Sequence, residues 1–243
     1  MNAFRPRRAI VASLAASLTL LLGLAAVVPA AEEKAPPKAE KDGFISLFNG
    51  KDLDGWVYGT RKDKEGKPAE NKVGQGYQVK DGALYCTPKD GGNLYTAKEY
   101  GDFTFRFEFK LTENANNGIG IRAPLEGDSA YAGMEIQVLD DGGPAYKTLR
   151  PAQYHGSIYD VVAAKRGALK PTGEWNVEEI TAKGAQITIT LNGQVIVDAN
   201  LDDVKDPAVL KKHPGLKNAK GHLGFLGHGA QVEFRAMQIK ELK

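Results

Sequence analysis

The stretch Phe103-Thr-Phe-Arg-Phe-Glu-Phe-Lys-Leu111 limits the possible folds more than any other part of the chain. Phe103, Phe105, Phe107, Phe109 and Leu111 recur at every second position, with Thr104, Arg106, Glu108 and Lys110 between them. A period of two is that of a pleated strand with one apolar and one polar face. Four phenyl rings on one face left in water would form an aggregation-prone patch, so a second sheet has to cover them. The segment therefore predicts a strand in a layered, all-β core.

The rest of the chain follows the same pattern. "GFISLF" (43–48) opens it, and "GYQVKDGALYCT" reads as a hairpin turning at Asp81-Gly82. In "NGIGIRAP", Ile119 and Ile121 face inward, with Gly118, Gly120 and Arg122 opposite. In "YAGMEIQVLDDGG", Met134, Ile136 and Val138 face the core, leaving Glu135 and Gln137 together on the other face. That pair is unusual, because an ordinary solvent face would carry Lys, Thr or Ser. "WNVEEITAKGAQITITLNGQVIVDA" gives further strands and a turn at Asn192-Gly193, and "GHLGFLGHG" and "QVEFRAMQIKEL" close the series. Only "DPAVLKKHPGLK" has a short helical pattern, and residues 60–76 read as a long wet loop. Many short strands with almost no helix predict a jelly-roll β-sandwich, a single domain over 43–243.

Residues 1–30 combine Arg5, Arg7 and Arg8, an Ala/Leu-rich apolar run and a small-residue site ending at Ala30, the pattern of a cleaved signal peptide. A retained membrane anchor is the competing reading. Residues 31–42 are a Pro/Lys/Glu linker. An exported protein, periplasmic or secreted, is expected, with no membrane association once the signal is removed. Without residues 1–30 the chain has 29 Lys and Arg against 30 Asp and Glu. A sign-mixed, nearly neutral surface argues against nucleic acid or an anionic membrane as partner. Cys86 is the sole cysteine, which excludes an internal disulfide and makes a buried, inert thiol the expectation. No dinucleotide-binding glycine fingerprint is present, and no cofactor is expected. The sequence leaves the oligomeric state open.

Five segments, "LFNGKDLDGW", "NGIGIRAP", "MEIQVLDD", "GEWNVEEITAKGAQITITLNGQVIVD" and "GHLGFLGHGAQVEFRAMQIKEL", together resemble the 3-keto-disaccharide hydrolase family, formerly a domain of unknown function. The resemblance runs from Gly43 to Lys243 in the family's order. It implies a concanavalin- or laminarinase-like sandwich of two curved antiparallel sheets, with a small oligosaccharide or glycoside on the concave face. It also implies hydrolysis of glycosides already oxidised to a ketone at C3. Leu226 stands where the family often has Gln, and Gly120 where it often has a bulkier residue.

Glu135 and Gln137, about 6.6 Å apart along a strand, would occupy adjacent rungs of such a groove. Laminarinase-like enzymes carry E-x-D-x-x-E there; this chain has Glu135-Ile-Gln137-Val-Leu-Asp140. Asp140 reaches the face of Glu135 only if a bulge intervenes, so the two carboxylates about 5–5.5 Å apart that a retaining glycosidase needs are not secured. A 3-keto sugar requires less, because the ketone acidifies the hydrogen on C2. Glu135 is then expected as general base. Arg122 would hold the enolate oxygen, and His155 or His228 would protonate the leaving oxygen. Gln137, Asp140 and Tyr159 would bind hydroxyls. The plainer alternatives are a cross-strand Glu135–Arg122 ion pair, a loop-capping His155, and Trp56 and Trp175 as core or edge anchors. His213 and His222 read as surface or turn residues. A divalent cation on Glu135, Asp140 and a histidine is compatible with the donors, although no ligand spacing demands it. The alternative function is a non-catalytic carbohydrate-binding module.

Overall fold

The computed structural model describes residues 42–62, 68–69, 76–88 and 91–243. The expected signal peptide (1–30), linker residues 31–41 and most of the expected 60–76 loop lie outside the described residues. The domain opens with β1 (Ile45–Ser46), β2 (Trp56–Tyr58) and a short pair, β3 (Arg61–Lys62) and β4 (Pro68–Ala69). Then come β5 (Tyr77–Lys80), β6 (Ala83–Cys86), β7 (Gly92–Tyr100), β8 (Phe103–Leu111) and β9 (Asn116–Ala123). Helix α1 (Ser129–Ala132) leads into β10 (Met134–Leu139), and after a long irregular stretch come β11 (Trp175–Lys183), β12 (Gln186–Leu191) and β13 (Gln194–Asn200). Helix α2 (Pro207–Lys212), β14 (Gly221–Gly227) and β15 (Val232–Glu241) complete the order.

One sheet runs β13-β12-β11-β8-β15-β6-β5, with β1 also paired to β15; the other runs β10-β9-β14-β7-β2. Every ladder between these strands is antiparallel. The chain changes layer repeatedly, β7 to β8 to β9 and β13 to β14 to β15, giving the all-β sandwich expected from the strand pattern. Both predicted turns form. Asp81 and Gly82 (φ 51° and 76°) and Asn192 and Gly193 (φ 50° and 82°) adopt the left-handed conformation that two-residue hairpin loops require.

The phenylalanine stripe lies between the layers. Phe103, Phe105, Phe107, Phe109 and Leu111 are buried in one continuous core with Ile119, Ile121, Met134, Ile136 and Val138 of the opposite sheet. Phe234 on β15 and Phe225 on β14 join the two layers, their ring centroids 4.3 Å apart. Trp56 packs on Phe225 at 5.4 Å and donates its indole N–H to Leu47 O at 2.9 Å, a core anchor. Trp175 lies on the outer face instead, with Arg235 over its ring at 3.8 Å. The polar side of β8 carries the ion pairs Arg106–Glu179, Lys110–Glu233 and Glu108–Arg235. Cys86 is fully buried, and burial pushes its thiol up to about 11, so it is not a ready nucleophile.

Because the two faces of β8 carry different terms, substitutions on them should differ in cost. Phe107→Ala is expected to lower the unfolding free energy by about 3–5 kcal/mol, and Lys110→Ala by less than about 1 kcal/mol, both read from urea denaturation.

Candidate active site

The site forms on the outer face of the five-stranded sheet, and β10 supplies its acid. Met134, Ile136 and Val138 enter the core, so Glu135 and Gln137 project away from it. Neither is exposed: Glu135 is 4 % and Gln137 5 % accessible. Residues 154–159 cover β10 as an irregular extra strand. Gln137 N–H donates to Ser157 O at 3.0 Å, Gly156 N–H to Gln137 O at 2.8 Å and Tyr159 N–H to Glu135 O at 2.9 Å.

Register explains why the neighbouring strand carries glycine. Glu135 pairs with Gly120 and Gln137 with Gly118. The Glu135 carboxylate lies across Gly118, where a Cβ would overlap Oε1. At Gly120 a Cβ would meet Leu226 Cδ2 at 3.3 Å and Tyr95 Cε1 at 3.5 Å. The two glycines thus leave bare backbone where the Glu135 carboxylate, Leu226 and Tyr95 pack.

Glu135 and Leu226 of β14 also border a cavity of about 310 Å³, lined besides by Asn93 of β7, Gly127, Asp128 and Ser129 before and in α1, and His228. His228 Nε2 stands 3.3 Å from Glu135 Oε1. The His228 side chain is 41 % accessible against 4 % for Glu135, so the imidazole can exchange protons with water while the carboxylate is sheltered. Asp128 caps α1, accepting from Ala130 N–H at 3.1 Å, and Ser129 Oγ is hydrogen-bonded to the Tyr95 hydroxyl. His213 holds the same helix from behind: its Nδ1–H donates to Ala130 O at 3.0 Å and its ring lies 5.0 Å from that of Tyr131. Burial keeps the His213 imidazole below its ordinary pKa.

The sequence-derived residues thus divide. Glu135 and His228 meet in the cavity. Gln137 lies beside Glu135 on β10; its Nε2 reaches Gln153 O at 3.5 Å, and its Oε1 is buried without a partner among the described residues. Tyr159 is tied to Glu135 through the backbone, its hydroxyl accepting from Gln153 Nε2 at 3.1 Å. Burial first, and then the charges of Asp160 and Glu135, raise its phenol pKa.

Several expectations of placement need correction. Arg122 neither lines this cavity nor pairs with Glu135. Its backbone turns left-handed (φ 48°), and its buried guanidinium donates to Gly101 O at 3.0 Å, Gly184 O at 2.8 Å, Asn218 O at 3.4 Å and Asp102 Oδ1 at 3.0 Å, clipping three loops together. His155 points into the core. Its Nδ1 accepts from Leu139 N–H at 3.2 Å, its ring stands 5.1 Å from Phe109, and Nε2 is 3.1 Å from Glu178 Oε2 but out of line for a hydrogen bond. Asp140 turns away because β10 runs without a bulge. It accepts from Asn114 N–H at 2.9 Å and Gly142 N–H at 3.2 Å and lines a separate cavity with Arg166. His213 and His222, read as surface or turn residues, are both buried. Among the described residues no three His, Cys, Asp or Glu side chains gather as metal donors.

Glu178 and Asn93 are among the buried polar residues that escaped the sequence reading. Glu178, fully buried, was legible by parity, since Ile180 and Ala182 inside place it inside as well. Asn93 had no such signal, because only the strand order brings β7 to the site. Removing the Arg122 clip should affect folding alone: Arg122→Met is expected to cost about 2–4 kcal/mol in urea denaturation, with turnover near that of the unaltered protein.

Residues 43–240 match the family model described as a 3-keto-alpha-glucoside-1,2-lyase-like domain. A 3-keto-disaccharide hydrolase of Bacteroides thetaiotaomicron is 27 % identical over 84 % of this chain and 80 % of its own length. Two crystal structures of candidate glycosyl hydrolases from Parabacteroides distasonis share the fold. One has a TM-score of 0.64 at 24 % identity, covering 83 % of this chain and 95 % of that one. The other has a TM-score of 0.65 at 24 % identity, covering 82 % and 99 %. With the family model spanning most of its length, the chain belongs to the 3-keto-alpha-glucoside-1,2-lyase-like domain family.

Proposed function

We propose that this protein is an exported hydrolase of glycosides carrying a ketone at C3, with Glu135 as general base and His228 as general acid. The observation that carries the reading is their meeting, 3.3 Å apart, in a cavity of about 310 Å³. That volume suits one sugar ring with part of its aglycone. Among the described residues His228 is the only lining side chain able to carry positive charge, so with Arg122 elsewhere the acid's role falls to it. Family membership and the named Bacteroides relative support the substrate class, and the leader-like residues 1–30 support export.

The chemistry follows from the ketone. Glu135 removes the C2 proton, and the electron pair moves into C2=C3 to form the enolate, whose charge rests on the C3 oxygen. The enolate returns to ketone as the C1–O bond breaks; the departing oxygen takes a proton from His228, leaving an enone across C1 and C2. Water then adds its oxygen to C1 and a proton to C2. The net reaction is hydrolysis with no change of oxidation state. A separate oxidoreductase must therefore make the ketone beforehand.

The separation of Asp140 from Glu135 also suits a second reading, a carbohydrate-binding module that does not cleave. An assay with 3-keto-trehalose, 3-keto-sucrose and their unoxidised parents separates the two. Release of monosaccharide from the oxidised sugars alone is expected, and Glu135→Gln should reduce it at least about 10²-fold while binding persists. Binding without cleavage would establish the module, and equal cleavage of the unoxidised parents would remove the role of the ketone.

A further inference from the structure

One wall of the cavity carries a group that the proposed reaction leaves unused. Asn93, on β7, lines the cavity and is only 6 % accessible. Its Oδ1 is buried with no hydrogen-bond partner among the described residues. A buried amide oxygen left unpaired is costly and uncommon in a folded protein. In a ligand cavity, the economical account is that the ligand supplies the missing donor.

The other lining groups define what kind of donor. Glu135 and Asp128 are carboxylates, and among the described residues no Lys or Arg lines the cavity. A site this rich in acceptors suits an uncharged molecule bearing several hydroxyls.

Strand order then places the contact. β7 is separated from β10 by β14 and β9, so the two walls stand about 14 Å apart, three inter-strand spacings. Side chains reaching in from both walls leave room for one pyranose ring. With C2 of that ring toward Glu135, the hydroxyls on C4 and C6 lie on the far side, toward β7.

We infer that Asn93 is a specificity-determining residue of this site: its Oδ1 accepts a hydrogen bond from the C4 or C6 hydroxyl of the oxidised sugar ring. The inference rests on the reading of the cavity as a 3-keto-glycoside site. It also explains why a polar side chain is buried on a strand whose neighbour across the sheet, Leu226, is apolar.

The test is binding, so that it does not depend on turnover. Calorimetric titration would use methyl 3-keto-glucoside and its 4-deoxy and 6-deoxy analogues on three proteins. These are Glu135→Gln, Glu135→Gln with Asn93→Leu, and Glu135→Gln with Asn93→Asp. Asn93→Leu is expected to weaken the parent sugar roughly 10–100-fold, and the loss should vanish for one of the two deoxy analogues. Asn93→Asp, which keeps an acceptor oxygen in place, should recover most of the parent's affinity and shows whether the site still folds. Equal parent affinity with and without Asn93, or a loss of the same size on all three sugars, overturns the inference and leaves the enzyme reading intact. If none of the three sugars binds Glu135→Gln, the glycoside reading fails, and the assignment of Asn93 fails with it.

Discussion

Everything in this domain depends on the parity of β10. Side chains alternate across a strand, so one residue of slip would exchange its two faces. Met134, Ile136 and Val138 would then leave the core, and Glu135 would point among the phenylalanines of β8. The apolar half holds the register because three buried aliphatic side chains together outweigh any gain from slippage, at about 1.5–3 kcal/mol each. The same alternation presents the carboxylate to the cavity. Folding and chemistry are therefore set by a single constraint, with the core fixing the position of the acid.

Two features make that position useful. Gly118 and Gly120 leave the β9 backbone bare where Glu135, Leu226 and Tyr95 need space. Residues 154–159 hydrogen-bond to the free side of β10, closing an edge that would otherwise invite another chain and taking Glu135 out of bulk water. His155 belongs to this covering segment: it fastens the segment to Leu139 N–H and meets Glu178 inside the sandwich. A fully buried carboxylate beside a misaligned imidazole is a poor stabiliser, and the apolar contacts around it outweigh its cost.

Much of the fold was legible in the sequence because strand parity and hairpin chemistry are local. The Phe103–Leu111 stripe, the turns at Asp81-Gly82 and Asn192-Gly193, and the inward set of β10 are all read over a few residues. The site was legible only in part. Glu135 was evident as a carboxylate out of place on its strand, and His228 as one of two candidate proton donors. Arg122 was misplaced because parity was carried to the end of β9, where the backbone departs from extended geometry at φ 48°. His155 was misplaced because it lies in an irregular stretch with no period to follow. Asn93 could not be found at all, since the strand order that brings β7 to the cavity depends on long-range pairing.

The chemistry asks little of such a site. A ketone at C3, one carbon removed from the scissile C1, turns a difficult substitution into a proton transfer and an elimination, for which one base and one acid suffice. This fits a cavity in which Asp140 supplies no second carboxylate near Glu135. The most direct measurement is hydrolysis of a 3-keto-glycoside in deuterated water, followed by early-time mass and proton analysis of the released 3-keto sugar against the same sugar incubated without protein. Removal of the C2 proton followed by hydration predicts one deuterium at C2 of the product in excess of the control. Product that keeps its original C2 hydrogen would contradict the account.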